Sequence, residues 1–446
     1  MENIKTKPLS ELVNFVIGPF GSAFNTENYV ECSEYRYIRG QDVKPIMLQD
    51  SSNRYISEED FTRLSKYALQ VNDLLVSVVG TLGNVALARE KDLPAIFSNK
   101  STVLRTDDAN LAKYIMVYMN TWFGRMDLLR NTRGAVQTGL NLEDLKKASI
   151  PEFSNNFYKK IGEIIDLGNK NIDDSKQLYR DAESKLMEFL DITDFNSLVE
   201  QPKAINVKSF SDSFGISGRL DAEYYQPKYE RLIKKIKSYT RGWIQLSEVF
   251  DLVKTKINKA EESYNYIEIG DIDISSGESN FSSVDTEELP ANAKVHPSKN
   301  DLLVSKVRPN RGAVSIIDKE IPRLVVSGAF SVLRENGDYT VQMLKVLLRS
   351  KIYRELLLKN NVGTSYPVIK DTDVLSLPIP LFDEKTNNEI LLAVKASQRH
   401  LDFSNELLNI AKKSVELAIE KNEDVAILYV NSQLANLISK SQLENR

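Results

Sequence analysis

The chain has 446 residues, of which 42% are apolar and 27% are charged, and its formal net charge is -4. These values exclude a disordered or fibrous protein and argue against a uniformly basic nucleic-acid coat, while the length predicts two to four domains. One cysteine, Cys32, and two histidines, His296 and His400, exclude an internal disulfide and a cysteine zinc cluster and leave little for a histidine metal site.

The N-terminal sequence, MENIKTKPLSELVNFVIGPFG, lacks the basic region, long apolar stretch and cleavage site of a signal peptide. No apolar run approaches the ~20 residues that are needed to span a bilayer. We therefore expect a cytoplasmic protein in a reducing compartment.

The hexapeptide NDLLVS occurs at residues 72–77 and again at residues 300–305, a displacement of 228. Other segments repeat with a displacement of 229: YRYIRGQDV (35–43) with YNYIEIGDI (264–272), VLR (103–105) with VLR (332–334), and IP (150–151) with IP (379–380). A one-residue slip lies between the hexapeptide and Gly83, whose counterpart is Gly312. The sequence therefore predicts one unit present twice.

Each unit is predicted to be mixed α/β. Short apolar runs with turn signals between them, such as YRYIRGQDV, DLLVSVVG, NVALARE and STVLRT, are typical of strands. Helical spacing marks LAKYIMVYMNTWFGRMDLLRN and its counterpart MLKVLLRSKIYRELLLKNN. The Asn- and Gly-containing segments NTRGAVQTG and NNVGTSYP should end these helices.

A heptad pattern closes each unit. Apolar and small residues from Tyr158 to Phe189 are spaced alternately three and four, and the same register recurs in the second unit at the displacement of 229. We predict two helices packed on each other, rather than two unrelated surface helices. The predicted inter-helix seam includes Ile161, Ile165, Ile172, Tyr179, Leu186, Ile390, Val394, Leu401, Leu408 and Val415. Its length is roughly 45 Å at ~1.5 Å per residue.

Between the units, SFSDSFGISG is a loop by composition, and DAEYYQPKYERLIKKIKSY predicts a helix that begins near Pro227. The tail after Lys421 predicts a further helix.

This arrangement resembles the specificity subunit of Type I restriction-modification systems. The segments that carry the resemblance are GPFGSAFNTENY (18–29), YIRGQDV (37–43), NDLLVS followed by Gly80 and Gly83, RGAVQTGLNLEDLKKASIP (133–151) and RLDAEYYQPKY (219–229). The resemblance implies an α+β fold: two duplicated target-recognition domains separated by two long antiparallel coiled-coil helices, with pseudo-twofold symmetry. RLDAEYYQPKY has no clear equivalent before the first unit, so we expect the C-terminal tail to complete that edge.

We place target-recognition domain 1 at residues 1–153 and the first spacer helix at 154–193. The linker and target-recognition domain 2 then occupy 194–382, and the second spacer helix and tail occupy 383–446.

The resemblance also implies a non-catalytic subunit that reads a bipartite, asymmetric site in double-stranded DNA for defence against phage and other foreign DNA. Its implied partners are methyltransferase subunits, two in number, and restriction and motor subunits, which together form a DNA adenine methyltransferase and ATP-dependent restriction endonuclease. No cofactor is expected in this chain, because S-adenosylmethionine, ATP and Mg²⁺ belong to the partners. No membrane partner is expected.

The DNA contacts are predicted on loops. Arg and Lys can bond guanine edges or phosphates, and Asn and Gln can pair with adenine. The candidates are Arg130, Thr132, Arg133, Gln137 and Thr138 in the first unit, and Lys306, Arg308, Asn310, Arg311, Lys359, Asn360, Asn361, Thr364, Ser365 and Tyr366 in the second. Basic patches at 294–311 and 349–370 support this choice. GTLGN (80–84) stands where KVRPNRG (306–312) stands, so the units differ between matching strands. Solvated loops and plain turn chemistry are the alternative.

Two other function classes remain open. A stand-alone nuclease or methyltransferase would need a site of its own. The sequence has no Gly-x-Gly-x-x-Gly, no Walker motif and no Asn/Asp-Pro-Pro-aromatic motif. Asp271 and Asp273 could bind Mg²⁺, but their counterparts are Asp42 and Lys44. A duplicated protein-binding or adhesive module is the other class, which the basic loops argue against.

Overall fold

The computed structural model describes residues 4–19, 21–49, 54–80, 82–130, 139–192, 194–199, 206–257, 260–363 and 366–444. The chain divides into two compact units: unit 1 comprises Met1–Asp174 with Arg399–Arg446, and unit 2 comprises Ser175–Gln398. The predicted domain boundaries follow the sequence repeat, whereas the division into units falls inside each of the two long helices.

The first copy of the repeat contains short strands, four helices and then a long helix. These elements are β1 (Thr6–Pro8), β2 (Asn14–Ile17), β3 (Arg36–Ile38), β4 (Ile46–Met47), α1 (Glu58–Arg63), β5 (Leu74–Ser77), β6 (Val85–Leu87), β7 (Ala95–Phe97), β8 (Ser101–Arg105), α2 (Ala109–Met119), α3 (Trp122–Leu129), α4 (Leu142–Lys146), β9 (Ser149–Pro151) and the long α5 (Asn155–Phe189).

The joint and the second copy follow, and the second copy has two strands in place of β4 and α1. The elements are α6 (Phe195–Val199), α7 (Phe214–Ser217), α8 (Pro227–Lys237), β10 (Trp243–Gln245), β11 (Phe250–Leu252), β12 (Ser263–Ile267), β13 (Ser282–Asp285), β14 (Ala293–Val295), β15 (Leu302–Ser305), β16 (Val314–Ile316), β17 (Leu324–Ser327), β18 (Phe330–Glu335), α9 (Val341–Arg349), α10 (Lys351–Leu356), α11 (Asp371–Leu375), β19 (Pro378–Pro380), the long α12 (Glu384–Glu420) and α13 (Glu423–Glu444).

The bounds of these elements reproduce the repeat. Strands β5 and β15 begin and end at equivalent positions of the two hexapeptides. Elements α11 and β19 keep the larger displacement of the repeat from α4 and β9 at both of their ends, and α12 begins at the equivalent of the first residue of α5. The predicted fold class, a duplicated mixed α/β unit with a long helix after each copy, is confirmed.

Strand β5 is an internal strand of a five-stranded sheet of order β2-β8-β5-β6-β4 in unit 1. Unit 1 also contains the two-stranded sheets β3-β7 and β1-β9. Strand β5 runs antiparallel to β6 and β8, so that Leu75 lies opposite Ala86 and Val103. In unit 2, β15 has the corresponding place in the sheet β11-β18-β15-β16, beside the sheet β13-β12-β17-β14 and the pair β10-β19. The repeated hexapeptide therefore ends in an internal strand of each unit.

Burial explains why the hexapeptide is the same in both copies. Side chains of a strand alternate between faces, and Leu74 and Val76 belong to one core cluster of unit 1 while Leu75 belongs to another. Leu302 and Val304 divide from Leu303 in the same way in unit 2. A strand that is covered on both faces favours consecutive apolar residues, as in the Leu-Leu-Val of both copies.

The polar start of the hexapeptide also has a structural role. Asn72 and Asn300 adopt φ of 71° and 69°, a left-handed conformation that Asn tolerates better than most residues. The buried carboxylate of Asp73 accepts hydrogen bonds from Arg105 Nε and Nη2 at 2.7 and 2.6 Å. Asp301 accepts from Arg334 Nε and Nη2, both at 2.7 Å. The same ion pair thus ties the start of the strand to the neighbouring strand in each copy.

The core of unit 1 includes parts of both long helices and the tail. Phe157 and Ile161 of α5 share one cluster with Leu407 and Val415 of α12. Helix α13 adds Ala426, Val430 and Leu437 to that cluster, which also contains Leu9 near the N-terminus. In unit 2, α8 adds Tyr229, Leu232 and Ile236 to the cluster that contains Ile379. The C-terminal tail therefore completes the edge of unit 1, as the sequence suggested.

The two long helices meet through small polar residues. In unit 1, Ser404 Oγ donates to Gly168 O at 2.8 Å, and His400 Nδ1 lies 2.8 Å from Asn171 Oδ1. In unit 2, Ser397 Oγ donates to Ser175 O at 2.8 Å. Residues with increasing numbers in α5 contact residues with decreasing numbers in α12, so the two helices run antiparallel. The predicted seam residues are buried except Tyr179 and Leu401, which are half-buried.

Within the part of the chain that the structure describes, no helix combines the length and the apolar character needed to cross a membrane.

Candidate nucleic-acid interface

The described candidates for DNA contact lie on two segments of each copy. Loop 1 is the segment between the strand of the hexapeptide and the next strand: residues 78–84 between β5 and β6, of which 81 is outside the described residues, and residues 306–313 between β15 and β16. Loop 2 is the segment between the helix pair and the next short helix: residues 130–141 between α3 and α4, of which 131–138 are outside the described residues, and residues 357–370 between α10 and α11, of which 364 and 365 are outside them.

Loops 1 and 2 are hydrogen-bonded to each other in both copies. Leu140 N donates to Val78 O at 3.0 Å in unit 1, and Ile369 N donates to Lys306 O at 3.0 Å in unit 2. The two bonds join equivalent positions of the repeat, because Val78 corresponds to Lys306 and Leu140 corresponds to Ile369. Segments that are far apart in sequence therefore form one surface, which is what a reader of several adjacent bases needs.

Loop 1 is where the two copies differ. It has seven residues in unit 1 and eight in unit 2, so the one-residue slip in the repeat falls inside it. Gly83 and Gly312 adopt φ of 74° and 75° and end the loop in the same way. Gly80 has a φ of 86°, and Arg308, which takes the place of Gly80, has a φ of 50°. The two loops keep a left-handed backbone at these two positions, and they differ in length and in side chains.

Arg308 and Tyr366 bring loops 1 and 2 of unit 2 together. The guanidinium carbon of Arg308 lies 4.2 Å from the centre of the Tyr366 ring, within range of a cation-π contact. Arg308 N donates to Pro367 O at 2.7 Å. Tyr366 is 61% exposed. Two side chains that the sequence analysis selected separately are thus neighbours on the surface.

Among the other loop 1 candidates of unit 2, the side chain of Lys306 is paired within the protein, and the main chains of Asn310 and Arg311 are hydrogen-bonded. Lys306 Nζ lies 2.9 Å from Asp371 Oδ1, and only 18% of its side chain is exposed, so its charge is compensated within the protein. Asn310 O accepts from Arg354 Nε at 2.7 Å. Arg311 N donates to Arg308 O at 3.0 Å within the turn.

Loop 2 of unit 2 is supported by a segment that sequence reasoning did not connect with it. Arg219 Nη1 and Nη2 donate to Asn360 O and Asn361 O at 3.2 and 3.1 Å. Asp221 holds the same guanidinium by accepting from Arg219 Nε at 2.7 Å. Lys359 Nζ lies 4.8 Å from the Tyr224 ring centre, and burial lowers the pKa of Lys359. The RLDAEYYQPKY segment is therefore a support for this loop, which only contacts between distant parts of the sequence could show.

The basic patch predicted at 349–370 is not one solvent-facing surface. Arg349 is buried: its Nη2 donates to Ile274 O and Ser275 O at 3.0 Å, and its Nε donates to Tyr179 OH at 2.9 Å. Arg354 is half-buried and supports loop 1 through Asn310 O. Arg349 therefore stabilises the interior of unit 2, and Arg354 stabilises loop 1.

In unit 1, Arg130 ends α3 with its Nη2 3.0 Å from Asp127 Oδ1, and 62% of its side chain is exposed. Thr132, Arg133, Gln137 and Thr138 of loop 2, and Thr364 and Ser365 of unit 2, lie outside the described residues. Asn84 of the GTLGN segment is buried, donates to Val43 O at 3.1 Å, and accepts from Arg125 Nη1 at 3.3 Å. Asn84 therefore has a structural role.

The two aspartates of the alternative Mg²⁺ site accept hydrogen bonds from residues of their own turns. Asp271 Oδ2 accepts from Glu268 N at 2.8 Å, and Asp273 Oδ1 accepts from Ser275 N and Oγ at 2.8 Å each. Across the described ranges, no group of three or more His, Cys, Asp or Glu side chains could hold a metal ion.

Comparisons with known proteins bear on what this surface does. Residues 1–166 match the family model described as the Type I restriction modification DNA specificity domain. The Type I restriction enzyme HindI specificity subunit of Haemophilus influenzae (strain ATCC 51907 / DSM 11121 / KW20 / Rd) is 31% identical over 109 residues. That match spans 24% of this chain and 24% of the relative, about a quarter of its length. Together the two matches confirm the resemblance predicted from the sequence.

Two solved structures align along nearly the whole chain. The Type-I restriction-modification system S subunit from M. genitalium is 15% identical, with coverage of 98% of this chain and 97% of that chain and a TM-score of 0.38. The HsdS subunit from Thermoanaerobacter tengcongensis is 12% identical, with coverage of 94% and 97% and a TM-score of 0.29.

Proposed function

We propose that this chain, whose residues 1–166 match the family model of the Type I restriction modification DNA specificity domain, is a DNA sequence-specificity subunit in which each copy of the repeat reads one half of a bipartite, asymmetric site. The observation that carries the proposal is the pairing of loops 1 and 2. Equivalent hydrogen bonds join them in both copies, at Leu140 with Val78 and at Ile369 with Lys306. Equivalent loop-to-loop bonds with different side chains would give two related surfaces that select different bases.

The proposal assigns no chemical step to this chain. Its acidic candidates, Asp271 and Asp273, accept hydrogen bonds from their own turns. Methylation of adenine would come from modification subunits that bind S-adenosylmethionine, and cleavage from restriction and motor subunits that use ATP and Mg²⁺. The role of this chain is to bring those subunits to one sequence in double-stranded DNA.

The long helices would set the distance between the two half-sites. Their seam contains Gly168, Ser175, Ser397 and Ser404, whose small side chains let the two backbones approach closely. A rigid pair of helices would fix the number of unread base pairs. At ~1.5 Å per helical residue and ~3.4 Å per base pair, one added heptad in each helix would lengthen the gap by about three base pairs.

Selection from a library of randomised duplex DNA tests the proposal. The full-length chain, alone and assembled with the modification subunit of its own host, is incubated with the library, and the retained duplexes are sequenced. We expect a split motif with two specified halves and an unspecified gap. Retention of duplexes without any sequence preference would reject the proposal.

A methylation assay tests the division of labour. The chain alone should transfer no methyl group from S-adenosylmethionine to DNA, and the assembled complex should methylate only duplexes with the selected motif. Methyl transfer by the purified chain alone would favour a stand-alone methyltransferase instead.

A further inference from the structure

Arg308 occupies a backbone position that strongly favours glycine. Its φ of 50° lies in the left-handed region, where a Cβ atom crowds the following carbonyl. The equivalent position in unit 1 is Gly80, with a φ of 86°. The backbone frame of loop 1 therefore needs no side chain at this position, and glycine is the residue that satisfies it without strain.

The contacts of the Arg308 main chain do not explain the arginine either. Its amide donates to Pro367 O at 2.7 Å, and its carbonyl accepts from Arg311 N at 3.0 Å. Any residue other than proline could make the first bond, and any residue could make the second. Non-glycine residues in sparsely populated backbone conformations are enriched at functional sites. The side chain of Arg308 is therefore the part of the residue to consider next.

The side chain of Arg308 is half-buried and lies against the exposed ring of Tyr366. Its guanidinium carbon lies 4.2 Å from the Tyr366 ring centre, so the cation rests against the aromatic ring. Lys306 two residues earlier is paired with Asp371, whereas among the described residues no carboxylate is paired with Arg308. A guanidinium that is held by a ring keeps N–H donors directed away from that ring, in the fork that matches two acceptors at once.

We propose that Arg308, braced against Tyr366, reads a guanine through O6 and N7 in the major groove of the half-site bound by unit 2. Guanine presents two acceptors there, and bidentate arginine is the side chain that fits them. The loop 1 position of unit 1 has no side chain at Gly80 and makes no such contact. This inference rests on the proposed function. It assigns guanine as one recognised base, Arg308 as the residue that contacts it, and Tyr366 as the residue that supports Arg308.

The replacement of Arg308 by glycine is the sharpest test, because it installs the residue that unit 1 already has. Arg308→Gly removes the base contact and relieves the left-handed strain, so thermal unfolding should stay within a few degrees of wild type. Arg308→Lys keeps the charge and loses the fork. Tyr366→Phe keeps the ring, and Tyr366→Ala removes the support.

A matched control is available at Arg323, which has a φ of 52°, is exposed, and accepts at its carbonyl oxygen from Asn265 N at 3.0 Å. Arg323→Gly removes one positive charge from one left-handed position, as Arg308→Gly does, but it is outside loops 1 and 2. A change caused only by net charge or by glycine would appear in both variants.

The readout is the motif and the affinity selected from randomised duplex DNA by the full-length chain, with the modification subunit, for each variant. We expect Arg308→Gly to lose the preference for guanine at one position of one half-site, by roughly 5- to 150-fold. The other half-site should be unchanged, Arg308→Lys and Tyr366→Ala should be intermediate, and Tyr366→Phe and Arg323→Gly should match wild type.

Two outcomes separate this inference from the function beneath it. If wild type selects a split motif and Arg308→Gly selects the same motif with the same affinity, the assignment of Arg308 is wrong and the function stands. The same conclusion follows if the lost preference is for a base other than guanine. If wild type selects no motif, the proposed function fails and this inference fails with it.

Discussion

The ion pair between Asp301 and Arg334 predicts that replacing one partner lowers the free energy of unfolding more than replacing the other. The Asp301 side chain is 1% exposed, while that of Arg334 is 48% exposed. Asp301 also accepts from Ser298 N at 2.7 Å. Arg334→Met leaves a buried carboxylate with only this amide. Because the arginine is half-exposed, the cost should lie at the lower end of the about 3–5 kcal/mol that breaking a fully buried pair costs. Asp301→Ala leaves a half-exposed guanidinium that water can solvate, so its cost should be nearer about 2 kcal/mol.

Urea unfolding of full-length variants measures these costs unit by unit. The chain has two tryptophans, Trp122 in unit 1 and Trp243 in unit 2, so a Trp122→Phe background makes the fluorescence report on unit 2. In that background we expect Arg334→Met to lower the free energy of unfolding more than Asp301→Ala, and the double variant to cost less than the sum of the two. Equal costs, or the reverse order, would refute the argument from burial.

The remaining predictions concern the helix seam, a buried lysine and the support of loop 2. A Cβ atom at Gly168 would lie 3.5 Å from both Ser404 Oγ and Leu408 Cδ2, which is an ordinary contact distance, so Gly168→Ala should be tolerated. Gly168→Leu should lower the unfolding free energy, measured by urea titration, by about 1–3 kcal/mol. Equal effects of the two substitutions would mean that the helices do not pack closely at Gly168. Burial lowers the pKa of Lys345 to about 8, below its value in the unfolded chain, so the unfolded state binds more protons between pH 8 and about 10 and stability should rise with pH in that window. From pH 7.5 to 9.5 wild type should gain about 2 kcal/mol relative to Lys345→Met, and parallel pH profiles would contradict this. Arg219→Met should speed amide hydrogen exchange at Val362 and Gly363 without lowering the global unfolding free energy by more than about 1 kcal/mol; unchanged exchange would show that loop 2 does not depend on Arg219.

The repeat was visible in the sequence because its strands are internal. Leu74, Leu75 and Val76 are each 0% exposed, and a strand covered on both faces tolerates few residue types, so its letters match in both copies. The seam of α5 and α12 could be predicted for a similar reason, since close helix contact restricts Gly168 and Ser404 to small residues.

The details of the candidate interface depend on features that spacing does not encode. Charge counts placed Arg349 with the loop lysines, but its guanidinium is buried against the carbonyls of Ile274 and Ser275. The support of Asn360 by Arg219 joins positions that are far apart in the sequence. Arg308 is unusual in its backbone dihedral angle φ, which cannot be read from the amino-acid sequence.

The most direct test of the central claim is the pattern of adenine methylation in the genome of the host, with and without this gene. We predict one split motif, with two specified halves and a fixed gap, that is methylated in the wild-type strain and unmethylated in the deletion strain. Complementation with Arg308→Gly should relax a single guanine position in one half. A methylation pattern that is the same with and without the gene would contradict the account.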